Sequence, residues 1–276
     1  MRFTSLRLCL LACAVSALSA KTDHSRVPFA HPGILLNRAQ LDLIKQHVAA
    51  GIEPQKTAFA ALLASPRADL NYTPNPRATV ECGPFSKTDL GCKDERRDAT
   101  AAYSHALAWH ITGHEKYARN AIRIMNAWAG TLTGGHTNEN GPVQAAWTGA
   151  VWPRAAEIIR YTSTFWAKED IARFSQMLVT QYVPSLVDGS DENGNKELAM
   201  SEALIAIGVF NDNRLTFAHG VKYNHFHLRR GVALPNMARV LPTNRPTKAD
   251  LNHMVWETLT HGDVGAVGLP PIPSKP

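Results

Sequence analysis

Beyond residue 20 the chain has no apolar run approaching the eighteen or so residues that a spanning helix needs. That excludes a helical membrane anchor in this part. Cysteine is scarce, with four in 276 residues, and neither a CxxC spacing nor a partner histidine pair is present to make a zinc site. Strand-like alternation is rare, which argues against a sheet-based fold. No fixed period with a recurring consensus appears, so a superhelical repeat array is disfavoured. Nor is there a clustered basic footprint of the kind that binds nucleic acid.

The first twenty residues do carry a pattern. Basic Arg2 and Arg7 precede an apolar run over residues 8–15, then small residues at Ala17, Ser19 and Ala20, the grammar of a cleaved secretory signal. A secreted, soluble mature protein, extracellular or periplasmic, is expected. Losing that segment lowers the formal charge from +6 to +4, a mild surplus suited to an anionic polymer such as a polyuronate. Cys9 and Cys13 leave with the signal. The remaining pair, Cys82 and Cys92, is expected to form a disulfide in an oxidising compartment, across the turn-rich segment CGPFSKTDLGC. Asn71 begins an Asn-Tyr-Thr glycosylation sequon, meaningful in a eukaryotic host.

The 45% apolar content is enough for one large domain or two small ones, and its dominant period is helical. Asn37 caps a helix, RAQLDLIKQHVAA, that stops at Gly51; Pro54 starts another, closed by Pro66. A long polar loop over residues 67–96 follows, placed to cover one side of a cleft. Asp98 is read as the cap of ATAAYSHALAWHIT, which ends at Gly113 and turns into EKYARNAIRIMNAWAGTL. Further helices are expected over residues 143–161, 168–182, 197–210 and 214–221. Paired helices with alternating short and long connections predict an all-α fold, an α/α toroid of hairpins whose loops at one end form the binding face. The domain reading is 1–20 signal peptide, 21–240 toroid, and 241–276 a divergent segment with a flexible tail.

Candidate chemistry gathers where two Asn/Gly-rich loops open into helices. His136, Asn138, Asn140 and Gln144 precede or begin the helix carrying Trp147, Trp152 and Arg154. Pro153 is expected to kink that helix or mark a new start. Aromatic faces stack on sugar rings, and amides hydrogen-bond hydroxyls and carboxylates. The bland alternatives are a core role for at least one tryptophan and an Arg154–Glu157 ion pair. His105 and His110, in an apolar helix, read as packed. Asn193 and Asn195 lie at the next helix start, where the dipole favours an anion; a simple cap and turn is the alternative for Asn193.

The segments VECGPFSKTDLGC, AIRIMNAWAGTLTGGHTNENGPVQAAWTGAVWPRAAEIIRYT and ENGNKELAMSEALIAIGVFNDNRLTF resemble the alginate lyase superfamily of α/α-toroid polysaccharide lyases, over roughly residues 31–221. The resemblance implies β-elimination without metal or cofactor on a uronate polymer, alginate or glucuronan-like. The family's Asn-Asn-His run falls on Asn193, Gly194 and Asn195, so the histidine is replaced; a related branch reads Gly-Asn-Trp, and Lys196 stands where its tryptophan would be. By this resemblance Asn195, Gln144 and Arg154 are candidate carboxylate neutralisers, His136 a candidate base, and Tyr223 or His225 a candidate acid. The remaining binding candidates are Asn138, Trp147, Trp152 and Asn193. Family members tend to be longer, and KYNHFHLRRG departs from their pattern, as truncation or an altered reading frame would produce. Two alternatives stay open: a catalytically impaired descendant that binds acidic polysaccharide, and a toroidal glycoside hydrolase, whose loop acids Glu139, Asp191 and Glu192 show no recognisable pairing. Oligomeric state has no signature in the sequence.

Overall fold

The computed structural model describes residues 28–83, 90–189 and 195–229, with the backbone alone at 195 and 222–229. The fold is all-α. Its helices are α1 (Arg38–Ala50), α2 (Gln55–Ala64), α3 (Cys92–Thr112), α4 (Glu115–Ala129), α5 (Gly141–Thr162), α6 (Lys168–Met177), α7 (Val183–Leu186), α8 (Asn195–Phe210) and α9 (Arg214–Arg229). Among the described residues the strands are two short ones, β1 (Val80–Glu81) and β2 (His136–Thr137), paired in parallel with Val80 opposite His136. No helix of the described residues is long and apolar enough to cross a membrane.

Local chemistry explains most boundaries. Asn37 and Gln40 form a reciprocal capping box at the start of α1, and Gly51 ends that helix in the left-handed conformation at φ 72°. Gly113, at φ 70°, closes α3 in the same way. Two expectations are corrected here. α3 starts at Cys92, six residues before the anticipated cap, because Gly91 makes the turn at φ 95° and Asp94 and Glu95 favour the first helical turn. A Cβ on Gly91 would lie 2.7 Å from Arg77 Cγ, so the turn also needs glycine's bareness. Asp98 therefore sits inside the helix, where its carboxylate accepts from Tyr72 Oη at 2.5 Å, Asn75 N at 2.8 Å and Trp128 Nε1 at 2.7 Å. It ties the 70s loop and α4 to α3.

The second correction is that Pro153 does not mark a new helix start. α5 runs through it unbroken from Gly141 to Thr162; a proline removes one donor from the ladder, and burial of both faces of α5 holds the helix together across that gap. The helix read over residues 168–182 is also subdivided, since α6 passes into a π-helical turn at Leu178–Tyr182 before α7.

Three inner helices stand side by side in the order α3, α5, α8, and α4, α6 and α9 pack outside them. The inner three are parallel. At one end Gln144 of α5 meets Cys92 and Glu95 of α3. At the other, Trp109 Nε1 donates to Thr162 Oγ1 at 2.9 Å and Arg160 Nη1 to the Phe210 carbonyl at 2.8 Å. Gly149 allows the close approach of α5 to α8: a Cβ there would be 3.2 Å from Tyr182 Cδ1 and 3.4 Å from Ala203 Cβ. The aromatic centre of the core is Trp128, Trp152, Trp166, Phe174 and Phe210.

Candidate active site at the N-terminal ends of the inner helices

Because α3, α5 and α8 are parallel, their N-termini open at one end, where the positive ends of three helix dipoles gather. The loop that feeds α5 is held there by β1. Cys82 N donates to the Thr137 carbonyl and Asn140 N to the Cys82 carbonyl at 2.9 Å, while the Cys82–Cys92 disulfide, with Cα atoms 5.9 Å apart, fastens the same strand end to α3.

At this mouth lies a buried carboxylate that sequence reasoning missed. Glu95 is fully buried and accepts from His136 Nε2 at 2.9 Å, Tyr182 Oη at 2.5 Å and Gln144 Nε2 at 2.7 Å. Burial alone would raise its pKa, but the His136 charge and the hydrogen bonds from His136, Gln144 and Tyr182 outweigh it and hold Glu95 below the usual carboxylate range. The reciprocal holds for His136: burial opposes its charge, yet Glu95 and the Gln181 carbonyl keep its pKa raised. Tyr182, buried and beside Glu95, is pushed well above the ordinary phenol value.

His136 is not placed as the anticipated base. Its ring is wholly buried, and its two nitrogens face two groups that only accept, Glu95 Oε1 at 2.9 Å and the Gln181 carbonyl at 3.2 Å. Making both bonds requires a proton on each nitrogen, and an imidazolium has no lone pair with which to take another. Arg154 and Trp152 are also turned from the mouth. Arg154 is buried and pairs with Glu202 of α8, not with Glu157, which instead accepts from His31 Nδ1 at 3.0 Å and from Gly33 N at 2.9 Å. Trp152 is 0% exposed, its ring against Trp128 and Phe174.

Gln144, Trp147 and Asn138 do lie at the mouth. Gln144 gives its amide N–H groups to Glu95 and to the Cys92 carbonyl at 3.1 Å, and its oxygen accepts from Arg96 Nη1 at 2.5 Å. Trp147, one turn further along α5, is 50% exposed and lies under the Arg96 guanidinium at 5.7 Å. Sequence reasoning misses Arg96 because residues 67–96 read as a loop; Gly91 followed by Asp94 and Glu95 is the signal for the earlier helix start. Asn138 adopts φ 67° and accepts the Glu139 N–H on its side-chain oxygen. Asn195 opens α8 and Tyr223 lies within α9, their side chains outside the described residues, as is all of Asn193. Asn71 is exposed on the turn after Asp69. Among the described residues no group of three or more His, Cys, Asp or Glu side chains could hold a metal ion.

A family model described as alginate lyase matches residues 50–236, well over half of the chain. The chain belongs to the alginate lyase family. No curated protein matches it. The match takes in α3, α5 and α8 and so every residue of the mouth described above. Membership of the alginate lyase family supports polysaccharide lyase chemistry and a polysaccharide substrate in general terms.

Proposed function

We propose that this chain is a secreted lyase that cleaves a uronate-containing polymer, alginate or glucuronan-like, by β-elimination. In this reading its three inner helices belong to an α/α toroid, and the polymer crosses the mouth they share. The observation that carries the proposal is the Arg96–Gln144–Trp147 group at the joint N-terminal end of three parallel helices. An indole face suits a sugar ring, a guanidinium suits its carboxylate, and the helix dipoles add to the same field. A guanidinium has five donors, so engaging Gln144 leaves capacity for a uronate. Asn138 and Asn193 are assigned to binding beside them.

In the reaction a base removes the C5 proton, those electrons form the C4–C5 double bond, and the C4–O4 bond breaks with O4 taking a proton. One fragment gains an unsaturated uronate and the other a reducing end. Asn195, at the start of α8, is proposed to neutralise the carboxylate as negative charge develops, and Tyr223 to move the protons. His136 supports the mouth from below instead of reacting.

Incubation with alginate or glucuronan is expected to produce the ultraviolet absorbance of an unsaturated uronate, and Asn195→Ala to lower its rate by at least about tenfold. Absorbance equally strong with Asn195→Ala would reject that assignment. The second reading, a polysaccharide binder without activity, is favoured by the two acceptors that face His136, which leave no free histidine base at the mouth among the described residues. Retention on an alginate column without new absorbance would select it.

A further inference from the structure

Glu95 is a costly residue to bury in the first turns of a helix, and its three donors come from three other segments: β2, α5 and the π-helical turn. Ionised carboxylates accept and do not donate. The atom that Gln144 turns toward Glu95 must therefore be its amide nitrogen, which also reaches the Cys92 carbonyl. With the nitrogen committed inward, the amide oxygen can only point outward, and there it meets Arg96 Nη1 at 2.5 Å. A guanidinium fixed at that oxygen lies over the exposed face of Trp147. We propose that Glu95 is a positioning residue: by setting the polarity of the Gln144 amide it holds Arg96 over Trp147, ready for the carboxylate of a passing sugar.

His136 and Tyr182 supply the other side of the device. Their donors keep Glu95 charged in a site where an isolated carboxylate would take up a proton and gain a donor of its own. A protonated Glu95, or a carboxamide in its place, could give a hydrogen bond to the Gln144 oxygen. The amide would then be free to reverse, presenting N–H groups to a cation that cannot accept them. The polymer as ligand rests on the function proposed above, whereas the posture of Arg96 is a property of the protein alone.

The experiment separates the two. Arg96 in wild type and in Glu95→Gln is treated with phenylglyoxal, an arginine-selective dicarbonyl, and its modification rate is read by peptide mass spectrometry, with half-exposed Arg97 as internal reference. The expected result is Arg96 reacting several-fold faster in folded Glu95→Gln while Arg97 is unchanged. Retention on immobilised alginate is expected to weaken about tenfold in Glu95→Gln and in Arg96→Gln, with the double variant no weaker than either, because the two act through one contact. If Glu95→Gln does not fold, Gln144→Met removes the relay and leaves Glu95 its bonds from His136 and Tyr182; Arg96 is expected to become equally reactive. Unchanged Arg96 reactivity in a folded variant, or additive losses of retention, overturns the proposal and leaves Glu95 a purely structural role. Failure of the wild type to bind either alginate or glucuronan rejects the polymer reading, and the dicarbonyl comparison still decides the positioning role.

Discussion

His105 occupies the middle of α3 with no exposed surface, its ring edge-on to Tyr72 and 5.6 Å from Tyr117. Burial, reinforced by Arg123 and opposed by Asp69, pushes its pKa down to about 4. The folded protein thus refuses a proton that the unfolded chain accepts near 6.5. Stability is complete above that value and declines as pH falls toward 4, by roughly 3 kcal/mol from this one group. His105→Phe, which keeps a ring and removes the proton site, should flatten the pH dependence of the urea midpoint between pH 6.5 and 4. An unchanged slope would mean that other groups govern acid sensitivity. Glu95 and His136 run in opposite senses to each other: the first contributes stability lost as acid protonates it, the second stability lost as rising pH removes its raised proton.

Among elements, the contact of α5 with α8 has the least tolerance. Gly149 faces Tyr182, Ala203 and Ile207, all within 3.5 Å of where a Cβ would stand. Gly149→Leu should lower stability by roughly 1–3 kcal/mol or prevent folding, since a packed interface has no room for the added leucine side chain. A thermal melt no lower than wild type would show that α5 and α8 can separate without loss. At this scale the sequence was readable in part. Asn37, Gly51 and Gly113 mark helix ends by chemistry that acts within a few residues, and those boundaries stand in the structure. The start of α3 did not, because Asp98 looks like a cap locally and is instead consumed by Tyr72, Asn75 and Trp128, partners up to thirty positions away. The site was legible to the same extent. Gln144 and Trp147 could be placed at a helix mouth from loop composition, but the burial of Trp152 and the Arg154–Glu202 pair follow from which face of α5 meets α8. His136 stood out as a loop histidine, yet its protonated state depends on Glu95, forty-one residues earlier.

Across the whole molecule, parallel inner helices give the two ends opposite character. The N-terminal end carries Arg96 and Trp147, and the C-terminal end carries Glu157, Asp212 and the stacked pair His31–Tyr161, ring centroids 4.5 Å apart. Changes at the two ends should therefore separate binding from stability. His31→Ala strips the buried Glu157 of a hydrogen-bond partner and should cost about 1–3 kcal/mol in urea unfolding while leaving retention on alginate intact. Trp147→Ala should do the reverse, weakening retention with little effect on the unfolding midpoint. Loss of alginate retention in a stable His31→Ala protein would place the polymer elsewhere.

The same His31 has a consequence in time. Its Nδ1 reaches Glu157 and its Nε2 reaches Asp212 at 3.1 Å, contacts that span 126 and 181 residues. Near it, Phe29 lies against Phe217 and beneath the Arg214 guanidinium. A chain made from its N-terminus cannot complete this clasp until almost all of the described helices have been synthesised, so the segment around His31 is among the last to be secured. Closing so long a loop carries a steep entropic cost unless α5 and the α8–α9 turn are already in place. The fold thus contains its own order of assembly, in which the segment around His31 waits for the elements that carry Glu157 and Asp212.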